Sequence, residues 1–139
     1  MRTVDGRDGI VMPVLGQGTY RMGEDVAWRK QEVAALRLGL DLGMSVVDTA
    51  EMYASGGAEK VVADAIAGRR DEVFLVSKVL PTNASLPGTV KACETSLRRL
   101  RTDHLDLYLL HWPSSHPLED TIGGFRRLQE QGKIRHYGV

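Results

Sequence analysis

The sequence predicts an α/β fold in which parallel strands alternate with helices, and two observations carry this prediction. Short apolar segments alternate with longer helical segments four times along the 139 residues. Single polar residues also stand at the ends of several of these apolar segments. A strand that is followed by a helix and a second strand is parallel to that second strand. Such strands are buried on both faces, which explains why they are apolar runs without regular alternation.

An antiparallel hairpin is predicted before the alternation begins. Gly6 and Gly9 suit a turn between the short segments 3–4 and 10–11. In the strand that follows, Gly16 and Gly18 leave room for the close approach of another backbone. The strands predicted after the hairpin are 14–20, 45–50, 73–80, 105–111 and the start of a fifth at 134–139.

The helices between these strands are predicted from apolar residues that recur at helical spacing. Asp25 is the predicted N-cap of the first helix, and Gly43 suits its end. Pro87 fits the first turn of the third helix, and Gly123-Gly124 weakens the prediction of the fourth. The predicted helices are 25–42, 58–67, 87–100 and 118–131.

Composition and charge exclude several classes of protein. Lys plus Arg and Asp plus Glu each number 18, and the basic residues are scattered, so no basic surface for nucleic acid or anionic lipid is predicted. No segment approaches the roughly 18 apolar residues of a membrane span, and the first residues do not resemble a signal peptide. Cys93 is the only cysteine, which favours a reducing compartment. We therefore expect one soluble, cytoplasmic domain over residues 1–139.

The alternation leaves two architectures open, a doubly wound open sheet and part of an eight-stranded barrel. Length favours the open sheet, because a complete barrel needs roughly 250 residues. A doubly wound nucleotide-binding domain, however, expects G-x-G-x-x-G where the first helix begins, and the glycines of segment 16–23 are spaced differently. Polar residues at strand ends favour the barrel, because its active site lies at the carboxyl ends of its strands.

Four polar residues lie at or just beyond predicted strand ends, namely Asp48, Tyr53, Lys78 and His111. Taken singly, each has a plain structural explanation, such as a salt bridge between Asp48 and Lys78. Taken together, they predict an acid. A cation beside a phenol favours loss of the phenol proton, and a carboxylate holds the cation in place. A neighbouring imidazole can orient a carbonyl oxygen within reach of that proton, while another group delivers hydride.

Two longer segments carry a resemblance to the aldo-keto reductase family. Segment 43–53, GMSVVDTAEMY, resembles the family pattern G-x-x-x-x-D-T-A-x-x-Y. Segment 96–113, SLRRLRTDHLDLYLLHWP, is similar to a second family motif, and segments 16–20, 76–78 and 132–139 support the match. The resemblance covers essentially all 139 residues.

The resemblance implies a partial (β/α)8 TIM barrel with the hairpin closing its bottom, and the reduction of aldehydes or ketones to alcohols by NADPH. By the same resemblance, Tyr53 is the general acid and Lys78, held by Asp48, makes that acid stronger. His111 helps to orient the substrate carbonyl. The cofactor performs the hydride chemistry, and the protein positions it.

The resemblance also implies residues that contact the cofactor and the substrate. Gly18, Thr19 and Asp48 match positions that lie against the cofactor. Tyr20 and Trp112 match positions that line the substrate pocket. The scattered histidines show no metal-ligand spacing, so no metal is predicted.

The family pattern continues beyond the point at which this sequence ends. Strands six to eight, the Ser-Asn that holds the nicotinamide amide and the basic segment for the adenosine phosphates have no counterpart among the 139 residues. We therefore expect a truncated or partial chain, or one that depends on self-association to cover exposed strand edges. The alternative is a catalytically silent half-barrel that serves as an assembly or regulatory module.

Overall fold

Strands and helices alternate through residues 2–139, the part of the chain that the computed structural model describes. The predicted order of elements is confirmed, and the largest difference is at the start of the first helix, which a 3₁₀ turn precedes. The strands are β1 (Thr3–Asp5), β2 (Val11–Pro13), β3 (Gly16–Gly18), β4 (Val46–Asp48), β5 (Phe74–Val79), β6 (Leu105–Leu110) and β7 (Ile134–Gly138). The helices are α1 (Arg29–Asp41), α2 (Gly57–Ile66), α3 (Leu86–Leu100) and α4 (Leu118–Glu130).

The parallel sheet holds its strands in the order in which they occur along the chain, β3-β4-β5-β6-β7. Its register aligns Gly18 with Asp48, and Asp48 with Val76. A doubly wound sheet instead reverses its strand order at a switch point. The open sheet that length alone favoured is therefore wrong, and the strands follow one another as they do around a barrel.

The helices form one layer, because each contacts the next along the chain, α1 with α2, α2 with α3 and α3 with α4. In a barrel the helices form a single outer ring, whereas a doubly wound fold divides them between both faces of the sheet. The antiparallel hairpin β1–β2 precedes this arc. Its residues Arg7 and Ile10 line a cavity together with His136 and Tyr137 of β7, so the hairpin reaches across the arc.

Local sequence explains how two of the helices begin. The Asp25 carboxylate accepts the Ala27 N–H at 2.8 Å and caps the 3₁₀ turn that leads into α1. The Ser85 hydroxyl accepts the Gly88 N–H at 3.0 Å and caps α3, with Pro87 in its first turn. Both starts therefore satisfy backbone donors that a helix leaves without partners.

Helix α4 forms in spite of its two adjacent glycines because one of them lies against α3. A Cβ atom on Gly124 would lie 2.7 Å from the Cβ of Thr89. The absence of a side chain therefore allows the two helices to pack closely. This packing offsets the roughly 1 kcal/mol by which glycine disfavours a helix relative to alanine.

The apolar core lies between the helix layer and the sheet. Tyr108 of β6 and Phe125 of α4 are fully buried, and their rings meet edge to face with centroids 5.6 Å apart. Leu36 of α1 and Val61 of α2 belong to the same cluster. Among the helices of residues 2–139, none has the length and apolar character needed to cross a membrane.

Candidate active site

The carboxyl ends of the parallel strands bring the polar residues predicted from sequence to one end of the sheet. Asp48 is the last residue of β4, Lys78 is the penultimate residue of β5, and His111 directly follows β6. Tyr53 begins a short 3₁₀ segment after β4. Because neighbouring parallel strands end at the same edge, all four side chains lie close to one another.

The Lys78 ammonium group joins β5 to the end of β4 and the loop beyond it. Its Nζ donates hydrogen bonds to Asp48 Oδ1 at 2.7 Å and to the Thr49 carbonyl oxygen at 2.9 Å. A third bond, at 3.3 Å, reaches the Tyr53 hydroxyl oxygen. An ammonium group has three donors, so this lysine is fully satisfied. Because the phenol oxygen is an acceptor here, the O–H of Tyr53 is left available as a donor.

The Tyr53 ring lies between two other rings. The Tyr20 ring meets it edge to face with centroids 5.4 Å apart, and the His111 ring does so at 5.7 Å. Lys78 Nζ is 5.0 Å from the Tyr53 ring centroid. The phenol is therefore held by ring contacts on two sides and by a cation at its hydroxyl end.

The backbone that follows Tyr53 is unusual. Ala54 and Ser55 have φ values of 49° and 50°, and Gly56 has a φ of 89°. A left-handed conformation costs a residue with a side chain roughly 1–2 kcal/mol. Gly56 is the residue suited to this conformation, and a Cβ there would also lie 2.5 Å from the guanidinium carbon of Arg99, which would have to shift.

His111 extends the pairing between β6 and β5, because its backbone N–H donates to the Val79 carbonyl at 3.1 Å. Its ring nitrogen Nδ1 is buried and has no hydrogen-bond partner among the described residues. Burial lowers the pKa of His111 below the ordinary 6.5, and the nearby Lys78 charge lowers it further. The imidazole is therefore neutral at pH 7, with one nitrogen as donor and the other as acceptor.

Glu51, in the loop between Asp48 and Tyr53, is a further residue of the site that was not predicted from the sequence. The side chain is buried, with 9% exposure. Its Oε1 accepts the backbone N–H of Leu80 at 2.6 Å and the side-chain amide of Asn83 at 2.9 Å. An acidic residue so close to two predicted site residues was the signal available in the sequence.

Glu59 was also missed, although it is 0% exposed at the start of α2. Its carboxylate accepts a hydrogen bond from the Ser77 hydroxyl at 2.8 Å and one from the Arg99 guanidinium at 3.2 Å. The signal for its burial was its position on the apolar face of the helix, in register with Val62 and Ile66.

The residues predicted to contact cofactor and substrate differ in exposure. Gly18 is exposed, and a Cβ built on it would meet no atom within 4 Å. Thr19 is fully buried, and its hydroxyl donates to the Asp48 carbonyl at 2.9 Å. Tyr20 and Trp112 are 70% and 46% exposed, so both rings face solvent beside the Tyr53 and His111 rings that they contact.

A barrel arc with a phenol, an ammonium group and a carboxylate in hydrogen-bond contact at the carboxyl ends of its strands defines a protein of the (β/α)8 class. A family model for the Aldo/keto reductase family matches residues 14–139. The chain belongs to the aldo/keto reductase family.

Related sequences agree with this assignment. Over 130 residues the chain is 58% identical to methylglyoxal reductase YeaE of Escherichia coli strain K12, a match that covers 94% of this chain and 46% of the relative. It is 36% identical over 146 residues to aldo-keto reductase YhdN of Bacillus subtilis strain 168, covering 94% of this chain and 44% of that one. The chain thus spans about half the length of the curated relatives that it matches.

Solved structures confirm the partial barrel. The crystal structure of an aldo-keto reductase from Klebsiella pneumoniae in complex with NADPH matches with a TM-score of 0.92 and 53% identity, covering 100% of this chain and 50% of that one. A second structure from Klebsiella pneumoniae, in complex with NADP and acetate, matches with a TM-score of 0.94 and 55% identity, covering 99% and 48%.

Proposed function

We propose that this chain supplies the proton-donating part of an active site that reduces aldehydes or ketones to alcohols with NADPH. The observation that carries the proposal is the position of Lys78 Nζ, 2.7 Å from Asp48 Oδ1 and 3.3 Å from the Tyr53 hydroxyl oxygen. Membership of the aldo/keto reductase family supports it. In this proposal residues 1–139 act as a single domain, the N-terminal half of the barrel.

Tyr53 is the proton donor in this reaction. Its O–H bond breaks, and the proton passes to the carbonyl oxygen as that oxygen gains negative charge. Lys78 donates to the phenol oxygen, so positive charge stands beside the phenolate that forms. Asp48 holds the ammonium group in that position. General acid catalysis of this kind contributes about 10²- to 10⁴-fold to a rate.

His111 orients the carbonyl oxygen in this proposal. Because burial and the Lys78 charge lower the pKa of His111, its imidazole is neutral and only weakly basic, and it can offer an N–H to the substrate carbonyl. The edge-to-face contact of its ring with Tyr53 keeps the imidazole close to the acid. In alcohol oxidation the same arrangement serves in reverse, with the Tyr53 phenolate as base.

The residues present fit part of a nicotinamide cofactor site. The open space over Gly18 lets a ligand approach the backbone at the end of β3. The Asp48 side chain is 39% exposed, so its carboxylate can accept a hydrogen bond from a ribose hydroxyl while it remains paired with Lys78. The Thr19 hydroxyl is buried and donates to the Asp48 backbone carbonyl, so in this proposal Thr19 supports the position of Asp48 and does not itself contact the cofactor. When bound, NADPH supplies hydride to the carbonyl carbon.

The substrate in this proposal is a small aldehyde or ketone. Tyr20 and Trp112 present exposed aromatic surface on either side of Tyr53 and His111, which suits a small, weakly polar carbonyl compound. Relatives named methylglyoxal reductase or glyoxal reductase support dicarbonyl compounds as the first substrates to test.

The outer strands of the arc must also be covered in a working protein. β3 pairs only with β4, and β7 only with β6, within residues 2–139. Unpaired edges of this kind associate readily. We therefore propose that further chain or a second copy completes the barrel. A cytoplasmic location is also part of the proposal, because the buried Cys93 is a free thiol.

A fluorescence titration with NADPH, combined with a measurement of solution mass, tests this function. We expect saturable binding by an assembly of defined mass and turnover of methylglyoxal. Tyr53→Phe should retain NADPH binding and lose turnover. Tyr137→Phe is the matched control, because its ring stacks on Phe125 in the core and lies away from the Asp48–Lys78 pair. Unchanged turnover in Tyr53→Phe would contradict the proposal. Absence of NADPH binding in every assembly would instead favour a catalytically silent half-barrel.

A further inference from the structure

The distance between Tyr53 and Lys78 depends on two separate parts of the chain. Tyr53 belongs to the loop after β4, whereas Lys78 belongs to β5. Backbone pairing holds the two parts together only as far as Thr49, whose N–H donates to the Val76 carbonyl at 2.9 Å. Beyond Thr49 the loop leaves the sheet. Some other contact must therefore hold the loop against the end of β5.

The Glu51 side chain makes such a contact. Its single oxygen Oε1 accepts both the Leu80 N–H at 2.6 Å and the Asn83 amide at 2.9 Å. Glu51 lies two positions before Tyr53, and Leu80 lies two positions after Lys78. The contact therefore joins the same two parts of the chain as the Tyr53–Lys78 bond, immediately beside it.

Stability alone explains this arrangement poorly. A buried carboxylate is costly unless it is paired, and within residues 2–139 no cationic side chain forms an ion pair with Glu51. The family pattern D-T-A-x-x-Y leaves this position open, so the pattern itself assigns Glu51 no role. What the two hydrogen bonds do provide is a fixed position for the loop that carries Tyr53.

We propose that Glu51 is a positioning residue, whose Oε1 ties the loop after β4 to Leu80 and Asn83 and thereby sets the Tyr53 hydroxyl beside the Lys78 ammonium group. This inference rests on the proposed function, in which Tyr53 donates the proton. Because one oxygen accepts both hydrogen bonds, the length of the side chain at position 51 should affect the position of the loop more than its negative charge does. Glutamine keeps an acceptor oxygen at that distance, whereas aspartate keeps the charge and withdraws the oxygen by about 1.5 Å.

The test compares Glu51→Gln, Glu51→Asp and Glu51→Ala in the purified protein. We expect kcat for methylglyoxal to fall about 10- to 100-fold in Glu51→Asp and Glu51→Ala, the effect of a displacement of about 1 Å, with KM changed less. Glu51→Gln should stay within about threefold of the original kcat. The matched control is Glu130→Ala, which removes an exposed carboxylate from the last turn of α4.

Two further measurements report the position of the loop and do not depend on catalytic turnover. Leu80 amide exchange with deuterium should be faster in Glu51→Asp and Glu51→Ala, and unchanged in Glu51→Gln. The ¹³Cζ resonance of Tyr53, assigned among the four tyrosines by Tyr53→Phe, should move in the same two variants. If Tyr53→Phe shows that the phenol is not the acid, these two readouts still test the positioning.

The opposite order of the variants would overturn the inference. A Glu51→Asp protein with normal kcat beside an inactive Glu51→Gln protein would mean that the negative charge matters and the reach does not. A Tyr53 resonance that stays unchanged while Leu80 exchange rises would mean that the contact stabilises the loop without positioning the phenol. If Glu51→Ala fails to fold, the comparison of Glu51→Asp with Glu51→Gln still decides.

Discussion

The hydroxyl oxygen of Tyr53 lies 3.3 Å from the ammonium nitrogen of Lys78, although 24 residues of chain separate the two positions. The contact exists because β4 and β5 are parallel neighbours and end at the same edge of the sheet.

The first prediction concerns the coupling of Lys78 to Tyr53. Lys78→Met keeps the length of the side chain and removes its charge, so turnover should fall by about the factor that Tyr53→Phe costs, roughly 10²- to 10⁴-fold. Because the two groups act on one proton, the double variant should be no slower than the slower single variant. Steady-state kinetics of all three proteins measure this.

Lys133→Met is the control for that prediction. Lys133 forms a partly exposed ion pair with Glu94, with side-chain exposures of 30% and 38%, and should change turnover less than about twofold. If turnover in the double variant falls by the product of the two single-variant factors, Lys78 and Tyr53 act independently.

The second prediction is a pH dependence that arises from His111. Burial, and then the Lys78 charge, lower the pKa of His111 in the folded protein below the ordinary 6.5. Between these two values the unfolded chain binds more protons than the folded chain. The free energy of unfolding should therefore decrease as the pH falls below 6.5. The decrease should end once the pH is below the pKa of His111 in the folded protein.

Urea denaturation at several pH values between about 5 and 8 measures this effect. In His111→Gln the part of the slope due to His111 should be absent. A ring resonance of His111 that titrates at or above 6.5 would contradict the reasoning.

The third prediction concerns the buried Glu59–Arg99 pair. Removing Arg99 leaves the fully buried Glu59 carboxylate with the Ser77 hydroxyl but without its cation. We expect Arg99→Ala to lower the free energy of unfolding by about 2–3 kcal/mol, less than the roughly 3–5 kcal/mol of fully buried pairs because Arg99 is 28% exposed. Arg98→Ala, next to it on the exposed face, should cost less than about 0.5 kcal/mol.

A double variant tests whether the charge itself causes that loss. Glu59→Gln removes the buried charge and keeps an acceptor for Ser77, so Glu59→Gln with Arg99→Ala should be more stable than Arg99→Ala alone. Denaturant midpoints for the single and double variants decide this. Equal losses in both proteins would assign the effect to lost packing of the arginine stem.

The fourth prediction is that Cys93 does not react in the folded protein. Its side chain is 0% exposed, and burial raises the pKa of the thiol to about 12. Since the thiolate is the reactive form, iodoacetamide at neutral pH should leave Cys93 unmodified and should modify it in denaturant. Rapid modification without denaturant would show that α3 opens from the sheet.

Much of the fold was readable from local pattern. The apolar runs around Val47, Leu75 and Leu109 predicted strands β4, β5 and β6, and residues such as Asp25 and Pro87 marked helix starts. These features are readable because strand burial and helix capping depend on a few consecutive residues. Whether the strands form a barrel arc or an open sheet was not readable in this way, because strand order is a property of distant pairs.

In the candidate site, too, some features follow from local sequence and others depend on contacts between distant residues. The sequence by itself singled out Asp48, Tyr53, Lys78 and His111 as candidates, because each lies near or just beyond the end of an apolar strand, where a polar group is unexpected. Only the tertiary structure decided how they are held. The sequence signals at Glu51 and Glu59 do not show what these acids contact, because their partners Leu80 and Ser77 lie 29 and 18 positions away. Hydrogen bonds across that separation exist only once parallel strands and helices have packed, because packing is what removes these carboxylates from water.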